Sequence, residues 1–230
     1  MTRKKKVYSK KKASQFNLWR SFWQFVVCKI GYLTYLKVVY RIEVHGIENI
    51  PKDNKYIVCP NHLSNLDPPM LAAIMPRSIA FMAKKELFDI PFLRWWLDWL
   101  GAFSVDRENL SPSTVKTAEN IKDSRWVLGI FPQGTRCIPG EINEVNKGFA
   151  GLARLTKCDI LPVGIIGSHE IKKKPFSGKI IVKIGEIIPY NRNTDIVRDK
   201  WIEEIQKLTG FKYVGQEKEV ALSASGGSNE

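Results

Sequence analysis

Apolar positions along most of the chain come in short runs, separated by longer stretches with a helical period. Residues 38–44 alternate well enough for a strand. Tyr56-Ile57-Val58-Cys59 is a short apolar run, the pattern of a strand buried on both faces, and it stops at Pro60. Segments 79–82, 102–105, 126–131, 160–166 and 180–187 read as further strands. Between them the spacing predicts helices. One begins after Asp67 and covers 70–75, and an aromatic-heavy one covers 86–99. A polar helix over 111–123 is opened by Ser111 or Ser113. Two more follow, over 147–155 and over 194–208, the latter capped by Thr194 or Asp195. Residues 48–55, with Pro51, form a polar turn region. Strands alternating with helices predict an α/β fold: a mixed, largely parallel sheet flanked by helices. No internal repeat occurs.

Residues 13–40 have a different character. Phe16, Trp19, Trp23, Val26, Ile30 and Leu33 recur at three- and four-residue steps and share one helical face. Asn17, Arg20 and Gln24 fall away from that stripe, and Gly31 is a point where the helix can break, giving one bent helix or two. Charges at Arg20, Lys29 and Lys37 keep any uncharged run short of the roughly 18–20 residues needed to span a bilayer. Arg20 and Gln24 also interrupt a signal-peptide core, and no small-residue cleavage site follows. Two readings fit: a helix lying in a membrane interface, or a helix packed on its own domain.

Charge favours the interface. The 36 Lys and Arg against 23 Asp and Glu leave a net +13. Seven of these charges (Arg3, Lys4, Lys5, Lys6, Lys10, Lys11, Lys12) lie in the first twelve residues, so the rest carries +6. A basic arm of this kind meets polyanions: anionic lipid or nucleic acid. The aromatic residues that follow sit on an apolar face rather than interleaved with the basic ones, which speaks against a nucleic-acid stacking platform. The organisation predicted is a basic arm (1–12), an interface helical segment (13–37), a folded domain (38–214) and a disordered tail (215–230) low in hydrophobicity. An interface helix with a positive arm predicts peripheral or monotopic attachment to the cytoplasmic face of a membrane.

Composition then narrows the chemistry. The chain has 44% hydrophobic and 26% charged residues, enough to bury a core, and it is neither collagen-like nor coiled-coil. Cys28, Cys59, Cys137 and Cys158 form no C-x-x-C pair, which speaks against zinc ribbons, redox motifs and disulfide frameworks and for a reducing compartment. There is no G-x-S-x-G elbow, no P-loop and no G-x-G-x-x-G. Three histidines without H-E-x-x-H leave a catalytic metal without ligands.

What remains is His62, directly after a buried strand, followed five residues later by Asp67. An imidazole can accept a proton at neutral pH, and a carboxylate on its other nitrogen would set the tautomer. A plainer reading competes: Asp67 before Pro68 is a good helix N-cap with proline at N1, and His62 is then an ordinary loop histidine.

Four ordered blocks bear on that choice. Asn61-His62-Leu63-Ser64-Asn65-Leu66-Asp67 is the first. Lys84-Lys85-Glu86-Leu87-Phe88, Ile90-Pro91-Phe92, Trp95-Trp96 and Gly101-Ala102-Phe103-Ser104-Val105-Asp106-Arg107 form the second. Phe131-Pro132-Gln133-Gly134-Thr135-Arg136 is the third, and Leu161-Pro162-Val163-Gly164-Ile165 running to Gly167-Ser168 is the fourth. Over roughly residues 40–190 the chain resembles the 1-acylglycerol-3-phosphate acyltransferases, also called lysophosphatidic acid acyltransferases. One position departs: the family's third block usually has Glu where this chain has Gln133.

The resemblance implies the glycerolipid acyltransferase fold and an enzyme of phospholipid biosynthesis. Its expected reaction moves a fatty acyl group from an acyl thioester (acyl-CoA or acyl-ACP, a co-substrate rather than a cofactor) to the free sn-2 hydroxyl of lysophosphatidic acid, giving phosphatidic acid. It implies His62 as general base and Asp67 as its orienting carboxylate, with no metal. Arg107 and Arg136 are the implied phosphate ligands, Lys85 a weaker one, with Gln133, Gly134 and Thr135 on the acceptor side and Pro162 and Gly164 on the donor side. Ser64 has no support as a covalent nucleophile. Trp95, Trp96 and Trp99 read equally as core or as membrane-facing surface. His45 and His169 lie in none of these blocks' motifs and read as structural, and Cys59 as a buried strand residue. Two other functions stay open: the same fold acting on a different lysolipid, and a non-catalytic module binding anionic membranes.

Overall fold

The computed structural model describes residues 11–53, 55–105, 111–170, 176 and 178–215. Its strands are β1 (Arg41–His45), β2 (Tyr56–Pro60), β3 (Ile79–Lys84), β4 (Phe103–Val105), β5 (Val127–Gly129), β6 (Glu141–Ile142), β7 (Asp159–Ile166), β8 (Lys179–Ile184) and β9 (Lys212–Tyr213). β6 and β9 pair with each other in a small ribbon. The other seven form one sheet in the order β1-β8-β7-β2-β5-β3-β4, parallel at every pair except β7 with β8. The mixed, largely parallel sheet expected from the alternating pattern is therefore present.

The helices are α1 (Leu18–Gln24), α2 (Leu33–Val39), α3 (Asp67–Ile74), α4 (Pro91–Trp99), α5 (Pro112–Lys122), α6 (Gly148–Thr156) and α7 (Thr194–Thr209). Central strand β2 shows why the sheet needs cover on both sides. Ile57 and Cys59 pack into one core with residues of α5, α6 and α7, while Tyr56 and Val58 pack into a second with Leu36 of α2 and Met70 and Leu71 of α3. Each such fully buried side chain contributes about 1.5–3 kcal/mol. The α7 layer is also tied by hydrogen bonding: the indole N–H of Trp201 donates to the Cys59 carbonyl at 2.8 Å.

Several boundaries differ from the sequence reading. The 86–99 helix is two elements, a 3₁₀ turn (Lys85–Phe88) and then α4, because Pro91 lacks an N–H and starts a fresh helix at its first turn. The strand expected over 126–131 shortens to β5, and that over 180–187 to β8. Ser111 caps α5 by accepting from Thr114 N–H, but α7 is capped by Asn193, which accepts from Asp195 N–H, rather than by Thr194 or Asp195.

The N-terminal segment departs further. Helical backbone runs unbroken from Leu18 to Val39, and Gly31 does not interrupt it. The middle, Phe25–Tyr32, is wound as a π-helix. Of the polar positions that left the apolar stripe, Arg20 and Gln24 face the protein, while Asn17 is exposed and caps α1 by accepting from Arg20 N–H. Gln24 is only 3% exposed; its amide donates to the carbonyls of Ile79 (2.9 Å) and Leu100 (2.8 Å) and accepts from Ile79 N–H (3.0 Å). Arg20 and Lys11 both pair with Asp98 of α4. Phe16 leaves the outward stripe altogether and is buried edge-on against Trp126, ring centroids 5.7 Å apart.

Much of the apolar stripe faces outward, although Val26 and Leu33 are half-buried and Leu33 packs against Cys28, Ala72 and Ala73. Trp19 is 61% exposed, Trp95 53% and Phe92 72%. Trp19, Trp23, Trp99 and Trp95 follow one another at centroid spacings of 5.8, 6.1 and 6.0 Å, joining α1 and α4 into one aromatic surface. This decides the α4 tryptophans: Trp95 and Trp96 belong to the surface, not the core. Among the described residues no helix is long and apolar enough to cross a membrane.

Candidate active site

β2 ends at Pro60, which has no N–H to extend the ladder. Asn61 continues the pairing with its side chain: Nδ2 donates to Ile165 O (3.0 Å) and Oδ1 accepts from Ile165 N–H (2.6 Å). His62 is thereby carried just past the carboxyl ends of the strands, where ligands of open α/β sheets bind.

Asp67 lies at the start of α3 and is fully buried. Its Oδ2 accepts three hydrogen bonds of 2.8 Å, from His62 Nδ1 and from the backbone N–H groups of Leu63 and Ser64. The capping reading of Asp67 is overturned for a local reason. Pro68 and Pro69 follow it in the first turn and carry no N–H groups to cap. The carboxylate turns back instead and closes the loop on His62. The positive end of α3 favours a negative charge at that place. A carboxylate only accepts, so Nδ1 carries the imidazole hydrogen and Nε2 keeps its lone pair.

The loop after β5 grips His62 from the other side. Phe131 stacks on the imidazole with ring centroids 4.0 Å apart at 30°, and Phe81 backs Phe131 at 5.6 Å. Gln133 Oε1 accepts from His62 N–H at 3.3 Å, and Cys137 N–H donates to His62 O at 2.7 Å. Both ends of the His62 residue are thus held. The turn between them needs Gly134, whose φ is +66°, a backbone region where a Cβ is disfavoured.

A cavity of about 450 Å³ opens beside His62. Ala72 of α3, Phe81 and Met82 of β3, Leu93 and Leu97 of α4, and Cys28 of the π-helical stretch form much of its wall. Its wall is mostly apolar, with polar side chains only at Gln24, His62, Asn65 and Lys84, the last residue of β3. Burial pushes the Cys28 thiol up to about 11, so it stays an uncharged wall atom.

The remaining predicted site residues fall as follows. Gln133 is buried against His62 rather than presented to a ligand surface. Thr135 and Arg136 are exposed on the turn that follows it. Lys85 opens the 3₁₀ turn beyond β3, and its neighbour Lys84 is the lysine in the cavity wall. Arg107 lies outside the described residues. Pro162 and Gly164 sit inside β7 and do not line the cavity. Gly164 is explained by packing: a Cβ there would stand 2.7 Å from Leu208 Cβ, so the glycine lets α7 close on the sheet. His45 pairs with Glu43 at 3.6 Å on the surface, away from the site. Ser64 Oγ accepts from Leu66 N–H within the loop, a turn contact. Among the described residues no cluster of three or more His, Cys, Asp or Glu could hold a metal. The sequence reading assigned no role to Phe131 or Lys84, although both stood in quoted blocks; nothing in their spacing points to the imidazole or the cavity.

A base with a free Nε2, fixed tautomer and locked backbone, placed in the wall of a mostly apolar cavity, suits one task. It can take a proton from a hydroxyl while a long apolar group lies alongside.

Comparisons with known proteins agree. The profile of the family described as Acyltransferase matches residues 41–166, more than half of the chain. The chain is similar to the 1-acyl-sn-glycerol-3-phosphate acyltransferase of Bacillus subtilis, 34% identical over 146 residues covering 63% of this chain and 72% of that protein. It is similar to the Streptococcus pneumoniae protein of the same name, 39% identical over 131 residues, 56% of this chain and 48% of that one. Its fold is similar to the crystal structure of the 1-acyl-sn-glycerophosphate (LPA) acyltransferase PlsC from Thermotoga maritima, with a TM-score of 0.66 and 25% identity over 83% of this chain and 80% of that one. With the family profile matching more than half of its length, the chain belongs to the acyltransferase family.

Proposed function

We propose that this acyltransferase moves a fatty acyl group from an acyl thioester, acyl-CoA or acyl-ACP, to the free sn-2 hydroxyl of 1-acylglycerol 3-phosphate, giving phosphatidic acid. The observation that carries this reading is the His62 Nδ1–Asp67 Oδ2 contact of 2.8 Å, with His62 in the lining of the mostly apolar cavity. His62 Nε2 takes the proton of the acceptor hydroxyl. The oxygen attacks the thioester carbonyl, the C–S bond breaks, and the leaving thiolate takes the proton back from the imidazolium. Asp67 keeps Nδ1 protonated and stabilises the imidazolium. A positioned general base contributes about 10²–10⁴-fold. The cavity receives the acyl chain, and its apolar wall supplies about 0.8 kcal/mol per buried methylene.

The acceptor phosphate needs cations. Arg136 on the exposed turn after Gln133, and Arg107, are the residues assigned to it, since a guanidinium binds phosphate oxygens in pairs. Thr135 and the Gly134 backbone support them, with Lys85 in a lesser role.

The aromatic surface of α1 and α4 docks into the membrane interface, where tryptophan is favoured, and the basic arm meets anionic lipid on the cytoplasmic face. The site then faces a bilayer holding its acceptor. Inversion of the helix supports this: its polar residues are spent on Asp98, Ile79 and Leu100, and its large apolar side chains are left exposed.

The test is thiol release from an acyl thioester with lysophosphatidic acid in liposomes, comparing wild type with His62→Ala. Acceptor-dependent release that falls at least about 100-fold in the variant supports the reading. Release indifferent to His62→Ala overturns the chemistry. His62-dependent release with another lysolipid, and none with lysophosphatidic acid, changes the acceptor and keeps the mechanism. Absence of any turnover, with liposome binding intact, favours a non-catalytic membrane module.

A further inference from the structure

Asp67 has one satisfied oxygen and one that is not. Oδ2 takes three donors, while Oδ1 is buried and has no hydrogen-bond partner. A buried carboxylate oxygen without a donor is costly, and such orphans are rare in folded proteins. A second orphan of opposite kind lies on a neighbouring element: the hydroxyl of Tyr32, also buried and without a partner. Tyr32 is the last residue of the π-helical stretch, and that stretch packs on α3, the helix Asp67 begins. The Tyr32 ring joins the same apolar cluster as Leu66, the residue before Asp67, and stacks on Tyr35 at 6.0 Å. A π-turn adds a residue to the helical ladder and re-aims the side chains that follow. Here it ends at Tyr32. The cluster's other unpartnered hydroxyl, that of Tyr56, belongs to the first residue of β2, whereas Tyr32 lies on the stretch that packs on α3.

We infer that Tyr32 is a positioning residue for the His62–Asp67 pair: its hydroxyl donates to Asp67 Oδ1 through one bridging water, the two oxygens having no direct partner. The inference rests on the proposed chemistry and deepens it. The donor fixes the carboxylate's rotation and draws off part of its charge, and it does so from the same helix that carries the outward aromatic face.

Electrostatics agree with this geometry. Burial, and next to it the Asp67 charge, raise the Tyr32 phenol above its ordinary range, so it is a donor throughout an assay. The other titratable groups around the pair are Cys28, Tyr35 and Tyr40 on the helical side, and Cys137 and Lys84 on the sheet side. Burial pushes both thiols up, so neither charges near neutral pH.

The experiment uses the full chain with Tyr32→Phe, which keeps the ring and removes the hydroxyl. Two readouts are taken: the His62 imidazole titration by NMR in micelles, identified by the signal lost in His62→Ala, and kcat/KM for thiol release against pH. Without the Tyr32 donor, Asp67 holds its full charge against the imidazolium. The titration midpoint and the acid limb of the profile are expected to move to higher pH by roughly half a unit. kcat is expected to fall about tenfold, the worth of one charge-assisted hydrogen bond, with KM unchanged. Tyr35→Phe, on the same helix, is expected to move neither. An unmoved titration in a folded Tyr32→Phe protein overturns the inference, as does a fall in kcat that comes with a lower thermal midpoint and no change in pH profile. Tyr32→Leu serves the same comparison should the phenylalanine variant fail to fold. The NMR readout needs no turnover, so it separates this inference from the proposed reaction: loss of His62-dependent release with a shifted titration would sink the reaction alone.

Discussion

The side-chain oxygen of Gln133 accepts a hydrogen bond from the backbone N–H of His62, 3.3 Å away and 71 residues earlier in the chain. The resemblance to the lysophosphatidic acid acyltransferases leads one to expect Glu at that place. Only an acceptor oxygen is needed for this contact, and an amide supplies one as well as a carboxylate does. Gln133→Glu is accordingly expected to keep thiol release within about threefold, since the acceptor survives. Gln133→Leu leaves the His62 N–H buried and unmet. It is expected to lower stability by about 1–3 kcal/mol and kcat by roughly tenfold, read by urea unfolding and by steady-state kinetics.

Asp67→Asn tests the tautomer. An amide can present its NH₂ to Nδ1, which moves the imidazole hydrogen to Nε2 and removes the base. The expected fall in kcat is about 10²–10⁴-fold, with circular dichroism unchanged. A variant within about threefold of wild type would show that the carboxylate is not needed to orient His62.

Ala72 lies in the cavity wall on α3. Ala72→Phe shortens the space open to an acyl chain. Preference is expected to move from palmitoyl toward decanoyl thioesters, by about fourfold for each methylene turned out of the cavity. Competition between the two donors, with products resolved by mass spectrometry, measures the ratio. An unchanged ratio places the acyl chain elsewhere.

Gln24 joins the outer helix to β3 and to the end of α4 through three hydrogen bonds. Gln24→Leu leaves the Ile79 N–H and two carbonyls without this partner. A loss of about 1–3 kcal/mol is expected, seen as a thermal midpoint lower by roughly 2–4 °C per kcal/mol in a chain of this size. Tryptophan fluorescence follows it directly, because Trp23 and Trp99 lie at the same junction.

The sequence by itself determined what depends on near neighbours. Period-two and apolar runs placed β2, β3 and β7, since a strand's side chains alternate whatever the sheet around it. Ser111 was readable as a cap because capping spans three residues. The His62–Asp67 pair was readable as a candidate because five residues of loop suffice to bring the two side chains together. Only the tertiary structure decided which side of the N-terminal helix faces the protein. An amphipathic period has the same strength whether the apolar stripe points in or out, so Gln24 inside and Trp19 outside carry no local signature. The same holds for Phe131 on His62, Gln133 beneath it and Gly164 under α7. Each is a contact between segments far apart in the chain, set by the order of strands in the sheet, and that order leaves no mark in the spacing of residues along any one of them.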